Sequence, residues 1–245
     1  MIDADWFDAR ISAATAGLQS DETLLASLHT ESTDFARFNH ARVRQAGTVT
    51  QTEVDLDLIA GARHASATVQ LSGDAPVDDA RITRSIERLR AQRAELPDDP
   101  HLLINTDPAD SHVVVDDQLP PTEDTVAAIA RSGSDHDMVG IYASGSVASG
   151  FANSLGQRNW FETSTFDLDW TLYLEADKAV KSSYAGFDWD PAVFDRKMAD
   201  AGIKLEALTR APIELAPDEY RTLLTPTALD AIMNLLVWKI GRAHV

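Results

Sequence analysis

The chain has seven histidines, at positions 29, 40, 64, 101, 112, 136 and 244, and imidazole is the side chain best suited to proton transfer or metal ligation near neutral pH. No two of them stand four residues apart, so HExxH and its relatives, which set two zinc ligands on one helix face, are absent. Asp135-His136-Asp137 is the one tight acid–imidazole cluster. Consecutive residues rarely converge on a single ion, and a Gly/Ser/Asp loop explains the cluster better than a metal. Gly145-Ser146-Val147-Ala148-Ser149-Gly150 has the composition of a phosphate cradle, but a strand, and not a helix N-terminus, is expected after it. No glycine precedes a Lys-Ser or Lys-Thr pair, so there is no Walker loop. Ala143-Ser144-Gly145-Ser146 does not make a nucleophile elbow. Asp167 and Asp169 lie two apart on one strand face, as do Asp55 and Asp57, a spacing that could bracket a sugar or a cation. With 39 acidic residues in the chain, such pairs are better read as the wet side of a strand. From the residues alone no catalytic residue and no metal ligand is assigned.

The elements that hold these residues follow from periodicity. Residues 3–29 read as helical, with Trp6, Phe7, Ile11 and Ala14 at three- and four-residue spacing and Leu24, Leu25 and Leu28 after a break at Gly17 to Asp21. From Asp34 the period becomes two. Phe35–Val43 is a first strand, Gln45-Ala46-Gly47 a turn, Val49–Ile59 a second strand, and Ala65 to Leu71 a third, together an antiparallel meander. The helix after Ser72-Gly73-Asp74 buries Ile82, Ile86 and Leu89 and carries Arg81, Arg84, Arg88, Arg90 and Arg93. Such a row is either a partner surface or, more simply, a solvated face balancing local acids.

A further helix is expected from Thr122 as N-cap and a strand over Met138–Ser144. The strongest alternation runs through Phe166, Leu168, Trp170, Leu172 and Leu174 on one side and Thr165 to Tyr173 on the other. Asn153-Ser154-Leu155-Gly156 carries the turn before it. Residues 175–189 read as irregular; Asp190-Pro191 opens a helix that Gly202 closes; Glu219–Leu224 reads as a strand. Thr225-Pro226 opens a last helix apolar enough to expect burial.

These readings give an α+β fold with two antiparallel-meander subdomains and packed helices. The expected divisions are an N-terminal α+β domain over 1–96, a linker region over 97–121, a middle α+β domain over 122–211 and the start of a truncated C-terminal domain over 212–238. Residues 239–245, KIGRAHV, are what a common sequencing-adapter end encodes, so the native sequence is expected to be lost after about Trp238 and His244 belongs in no site.

Composition sets the class. With 44% hydrophobic residues, the 245-residue chain can bury a core. Its 21 basic and 39 acidic residues leave a net charge of −18, which repels phosphate and makes nucleic acid or an anionic membrane an unfavourable partner. The absence of cysteine removes disulfides and thiol nucleophiles and suits a reducing compartment. The N-terminus lacks the pattern of a signal peptide, and a cytoplasmic location is expected.

The order of parts resembles the TldD/PmbA family. The likeness is carried by Arg37-Phe38-Asn39 with Arg42 and Gln45, by Asn153-Ser154-Leu155-Gly156, which is similar to the family's N-S/T-x-G turn, and by Pro212, Tyr220, Leu223 and Pro226-Thr227-Ala228. These cytosolic bacterial and archaeal proteins were once labelled modulators of DNA gyrase and are now regarded as zinc metallopeptidases. Arg37, Phe38, Asn39, Asn153, Gly156 and Tyr220 are the family-motif positions, with structural roles.

The TldD kind of subunit carries HExxxH on the helix after this approach, and the PmbA (TldE) kind lacks it. Here Ala228 to Leu236 contains neither histidine nor glutamate, so the chain resembles the PmbA-like kind. The resemblance implies no cofactor in this chain, zinc on a TldD-like partner, and a peptide-degrading chamber formed as a heterodimer with that partner or as a homodimer. Two other expectations stand beside it: an acidic β-rich binding module for a cation or carbohydrate, and a truncated fragment without function.

Overall fold

Alternation of apolar and polar residues governs most of the chain and produces strands far longer than the usual five or six residues. The structure, a computed structural model, describes residues 2–116, 118–175 and 178–240. It divides into two units, one through Thr209 and one from Arg210. In the first unit α1 (Ala4–Thr15) precedes β1 (Glu22–Asn39), β2 (Arg42–Ala60) and β3 (Arg63–Gln70), and α2 (Ala75–Ala94) follows. After β4 (Ser111–Val114) and α3 (Thr122–Ser132) come β5 (Asp137–Asn153), β6 (Arg158–Glu175), β7 (Lys178–Gly186) and α4 (Pro191–Ala207).

The two meanders are present, and they share a single seven-stranded sheet. Its order is β3-β2-β1-β5-β6, with β4 and β7 both on the outer side of β6. β4 is parallel to β6 at Asn159 to Glu162, and β7 is antiparallel to it over Phe166 to Glu175. The join is the antiparallel pairing of β1 with β5, unbroken from Leu25↔Asn153 to Asn39↔Val139. An unbroken register keeps one parity on one face. Even-numbered residues of β1, β5 and β6 therefore point the same way along the whole sheet, and Leu24, Phe38, Met138, Tyr142, Ala152, Trp160, Phe166 and Trp170 are all buried there.

Four helices cover that face. Phe7 and Ile11 of α1 and Ile82, Ile86 and Leu89 of α2 complete one apolar cluster with Leu24, Leu56 and Trp160. Ile129 of α3 and Phe194, Met198 and Leu205 of α4 complete a second with Phe38, Met138 and Trp170. Trp189 sits within 6 Å of four other rings in this second cluster, edge-on to Tyr142 and Phe166. A belt of hydroxyls separates the two clusters. Thr30 and Thr52 are buried and bonded at 2.6 Å, Ser146 meets Ser164 at 3.1 Å, and the Thr122 hydroxyl reaches both Asp34 and Ser144 at 3.2 Å. The belt lets one sheet carry two cores, because these hydroxyls pair with one another and with Asp34 between them.

Several sequence expectations change. The first helix stops at Thr15, and Leu24, Leu25 and Leu28 belong to β1. Three leucines at spacings of one and three fit either period, and here Leu24, Ala26 and Leu28 alternate inward against β2 and β5. The first hairpin turns at His40-Ala41, both at positive φ (48° and 55°), and not at Gln45-Ala46-Gly47, which lies inside β2. Two left-handed residues make the tight turn that suits strand twist, usually written Asn-Gly, so the sequence signal was weak. His40 Nδ1 bonds Asp137 at 2.6 Å and the Ala41 amide donates to Met138 O at 3.0 Å, and these contacts hold the turn.

The expected linker contains β4, and the segment read as irregular contains β7. Pro121, not Thr122, occupies the cap position of α3, and Thr122 turns its hydroxyl to the belt. Asp190 caps α4 as expected, accepting from the Ala192 amide at 2.8 Å, but the helix runs past Gly202 to Ala207.

In the second unit, Glu219–Leu224 is irregular and not a strand. α5 (Pro226–Ile240) begins where Thr225-Pro226 placed it. Leu229, Ile232, Met233 and Leu236 on it are exposed, so the burial expected for an apolar helix is not met within these residues. The part of the expected adapter-derived tail from 241 to 245 lies outside the described residues. Among the described residues no helix is long and apolar enough to cross a membrane.

Candidate functional site

With every helix of the first unit on one face, the odd-numbered residues of the central strands are left uncovered. Arg37, Ile141, Asp169 and Ser183 form one cross-strand row, and Asn39, Val139, Thr171 and Lys181 the next. Between them runs a groove of about 450 Å3 that also reaches Arg44 of β2. Val139 and Ile141 are each 39% exposed, so its floor is apolar and accessible. Lys181 lies 3.9 Å from Asp169, while neither Arg37 nor Arg44 has an ion-pair partner among the described residues. An apolar floor between fixed cations and one acid can hold an extended polar chain. The groove's one hydroxyl, Thr171, and its one carboxylate, Asp169, are not hydrogen-bonded to each other among the described residues.

Toward the other end of the same face, acids are paired across strands. Asp55 accepts from Thr68 at 2.5 Å, Gln70 donates to Glu53 at 2.7 Å and Gln51 to Glu31 at 2.6 Å. His64 bridges Asp57 at 3.1 Å and Asp99 at 3.7 Å. This Asp–His–Asp bridge was missed in the sequence, although the alternation that puts Asp57 on the wet side of β2 is the signal that could have found it. Asp167 is different. Partial burial, and then the neighbouring charge of Asp169, push its carboxyl above the ordinary value.

The family-motif positions separate into distinct places. Arg37 lines the open-face groove, Phe38 is buried on the helix-covered face, and Asn39 ends β1. Asn153 lies toward the opposite end of β1, roughly 45 Å away at the strand rise of about 3.3 Å per residue. Its buried amide oxygen accepts from the Leu155 and Gln157 amides at 3.0 Å, and Gly156 takes φ +103°. Ser154 then exchanges two bonds with Leu24, at 3.0 and 3.1 Å, tying the β5–β6 turn to the start of β1. Tyr220, in the second unit, donates to Ala216 O at 2.8 Å. The first two groups, at opposite ends of β1, do not form one site.

The other candidates disperse too. His136 lies beside Gly202 of α4 while Asp137 bonds His40, so the Asp135–Asp137 cluster does not converge. Gly145 to Gly150 is interior to β5. Among the described residues no group of three or more His, Asp or Glu side chains could hold a metal ion.

Solved structures share this fold. The chain superposes on TldE from Thermococcus kodakarensis with a TM-score of 0.59 at 12% identity, over 82% of this chain and 47% of that one. A protein described as a candidate modulator of DNA gyrase from Bacteroides thetaiotaomicron gives 0.61 at 10% identity, over 84% and 50% of the two chains. Another so described, from Thermotoga maritima, gives 0.57 at 9% identity, over 80% and 48%. At these identities the likeness is one of fold, and it points to the same proteins as the motif resemblance. The chain spans about half the length of the structures it matches. No protein-family model matches it, and no curated protein does.

Proposed function

We propose that this chain is a TldD/PmbA-family protein of the PmbA-like kind, a non-catalytic subunit that forms the wall of a peptide-degrading or peptide-processing chamber with a zinc-bearing, TldD-like partner. The observation that carries the reading is the one-sided sheet. Its helices all lie on one face, and its longest strands leave the other uncovered, with the Arg37–Lys181 groove across it. A surface of that kind suits an extended peptide, whose carboxylates Arg37 and Arg44, without an ion-pair partner among the described residues, can meet and whose side chains can rest on Val139 and Ile141.

The described residues of this chain do not fit a zinc site. On α5, where the TldD kind carries its ligands, Asn234 donates to Asp230 at 3.1 Å and the stretch from Ala228 to Leu236 has no histidine. In this proposal the hydrolytic step belongs to the partner, and this chain's part is to bind and orient the peptide. A cytoplasmic location belongs to the same proposal. The net charge of −18 argues against a direct role on DNA.

Co-expression of the protein with a TldD-like subunit tests the reading. A stable complex by size exclusion, with peptidase activity that neither chain shows alone, is the expected outcome. Arg37→Glu should raise KM for acidic peptides at unchanged kcat. Metal-dependent hydrolysis by this protein alone, or failure to co-elute with any such subunit, would sink it.

A further inference from the structure

We propose that the segment from Pro97 to Asp110 is a pH-sensitive strap, latched over the β2–β3 turn end of the open face while His64 is protonated and loosened when it is neutral. The segment holds no helix or strand and runs from the β2–β3 turn, on one side of the sheet, to the start of β6 on the other. At its beginning the Asp99 amide donates to Ala62 O at 2.7 Å, and Arg63 bonds both Asp98 at 2.6 Å and the Ala94 carbonyl at 3.2 Å. At its end Asp110 accepts from the Arg158 amide and the Ala109 carbonyl from the Asn159 side chain, each at 2.8 Å. Ile59 shows that the strap covers something. It is an odd-numbered residue of β2, directly opposite His64, and so lies on the face without helices. It is nevertheless only 4% exposed and belongs to neither apolar cluster. Its cover has to come from the open side, where the strap stands: Leu102 and Ile104 are half-buried, and Leu103 between them is 93% exposed.

His64 is the part that can switch. Its Nδ1 lies 3.1 Å from Asp57 and its Nε2 3.7 Å from Asp99, so one ring joins the sheet to the strap. A carboxylate only accepts, and a neutral imidazole has a single N–H. Only the imidazolium, with a proton on each nitrogen, serves both acids at once; neutral His64 keeps one and turns a lone pair toward the other. No neighbouring charge replaces it. Arg63, beside it on β3, is taken by Asp98, and Asp55, the next acid on β2, accepts from Thr68. β1 sets the uncharged Leu25 opposite Asp57, and His101 of the strap is exposed. Imidazole changes charge between pH 5 and 8. A bridge that needs the protonated ring holds on the acid side and is lost as pH rises. The strap is therefore held in mild acid and loosened in mild base, where it uncovers Ile59. The latch is a property of the fold and does not depend on what the open face binds.

The test is hydrogen exchange on the whole chain at about pH 5.5 and about pH 8, each corrected for the intrinsic exchange rate, read at the amides from Asp99 to Ile104. Both conditions lie above the ordinary carboxylate range, so the difference between them reports imidazole. Protection of the strap is expected to be about two- to fivefold higher in the acid sample, the factor that partly exposed ion pairs supply. The amides of β1 and β5 should show no such difference. His64→Asn and Asp99→Asn should each abolish it, and Asp99→Asn keeps an oxygen for the His101 amide that the carboxylate now bonds at 2.8 Å. Arg63→Gln should lower strap protection in both samples and leave the difference between them. Equal protection of the parent strap in the two samples overturns the proposal. So does a pH dependence that survives His64→Asn, which would assign it to another group.

Discussion

Gly145 of β5 and Ser32 of β1 approach so closely that a Cβ on Gly145 would fall on the Ser32 carbonyl oxygen and lie 2.7 Å from the Thr33 Cα. The neighbour is backbone, which cannot turn aside as a flexible side chain can. This contact lies in the hydroxyl belt, where the β1–β5 pairing fuses the two meanders into one sheet. Gly145→Ala should therefore cost on the order of 3 kcal/mol, the upper range for overpacking. Gly61→Ala is the control: its φ of +60° strains any side chain, but nothing lies within 4 Å. It should cost only about 1 kcal/mol, the penalty of a left-handed residue. Urea unfolding of both variants measures the difference, and equal midpoints would refute the close approach.

Glu22 opens β1 with its side chain fully buried. Burial pushes its carboxyl up, but the Arg90 hydrogen bonds, the Gln19 amide and the charges of Arg90 and Arg93 outweigh burial and hold it below the ordinary value. A carboxyl lowered in the folded state contributes stability above its unfolded pKa of about 4.3 and loses it as pH falls through the folded value. Glu22→Gln should cost about 3 kcal/mol at neutral pH, the low end for breaking a buried pair, because Arg90 and Arg93 keep some access to water. The gap between parent and variant should close as the pH is taken below 4. Urea midpoints at pH 7 and pH 3 check this, and a gap of undiminished size at pH 3 would show that the carboxylate charge is not its source.

The fold was legible where one period held over many residues. Phe166 to Leu172 gave a strand with the correct face inward, although Leu174 at its end is exposed, and Asp190-Pro191 a capped helix, because each signal is local. Three features were not legible, since they depend on distant partners. β7 has no strong alternation of its own and is a strand because β6 offers it an edge. His40-Ala41 is not a residue pair that advertises a tight turn, and Asp137 and Met138, almost a hundred residues on, hold it in place. The fusion of two meanders into one sheet is likewise a long-range pairing. Of the candidate site, Arg37 was singled out from its motif. Lys181 and Asp169, which face it across two strands, could be grouped with it only once the register was known.

Tyr142 is fully buried in the second cluster, its hydroxyl close to those of Ser144 and Thr125 but with no partner in good hydrogen-bond geometry among the described residues. Burial pushes its phenol up; the nearby Ser144 and Thr125 hydroxyls relieve this in part, and the charge of Asp34 adds to it. Tyr142→Phe removes the unpaired group and keeps the edge-on contact with Trp189 at 5.9 Å. It should leave the melting temperature unchanged or raise it, by up to about 1 kcal/mol of stability. Tyr142→Ala should cost about 3–5 kcal/mol, as aromatic truncation in a packed core does. Differential scanning calorimetry on the pair separates the ring from its hydroxyl. A fall with Phe comparable to that with Ala would mean that the hydroxyl is satisfied.

Asp167 and Asp55 both face outward from the sheet, yet their carboxylates should respond oppositely to removal. Asp55 accepts a bond from Thr68, whereas Asp167 stands opposite Ala143 and Ala185, with Asp169 two residues along. Burial first, and then Asp169, raise the Asp167 carboxyl in the folded state. A raised carboxyl destabilises the fold at neutral pH, and the penalty is relieved as pH falls through the folded value toward the unfolded one. Asp167→Asn should therefore unfold at a higher urea concentration than the parent at pH 7, with the two converging in acid. Asp55→Asn should show no such gain. The same substitution bears on the open face as a peptide wall. If extended peptides lie across it, removing this charge should lower KM for acidic peptides in the proposed two-subunit complex and leave that for basic ones no better. A KM that moved equally for both would place the peptide elsewhere.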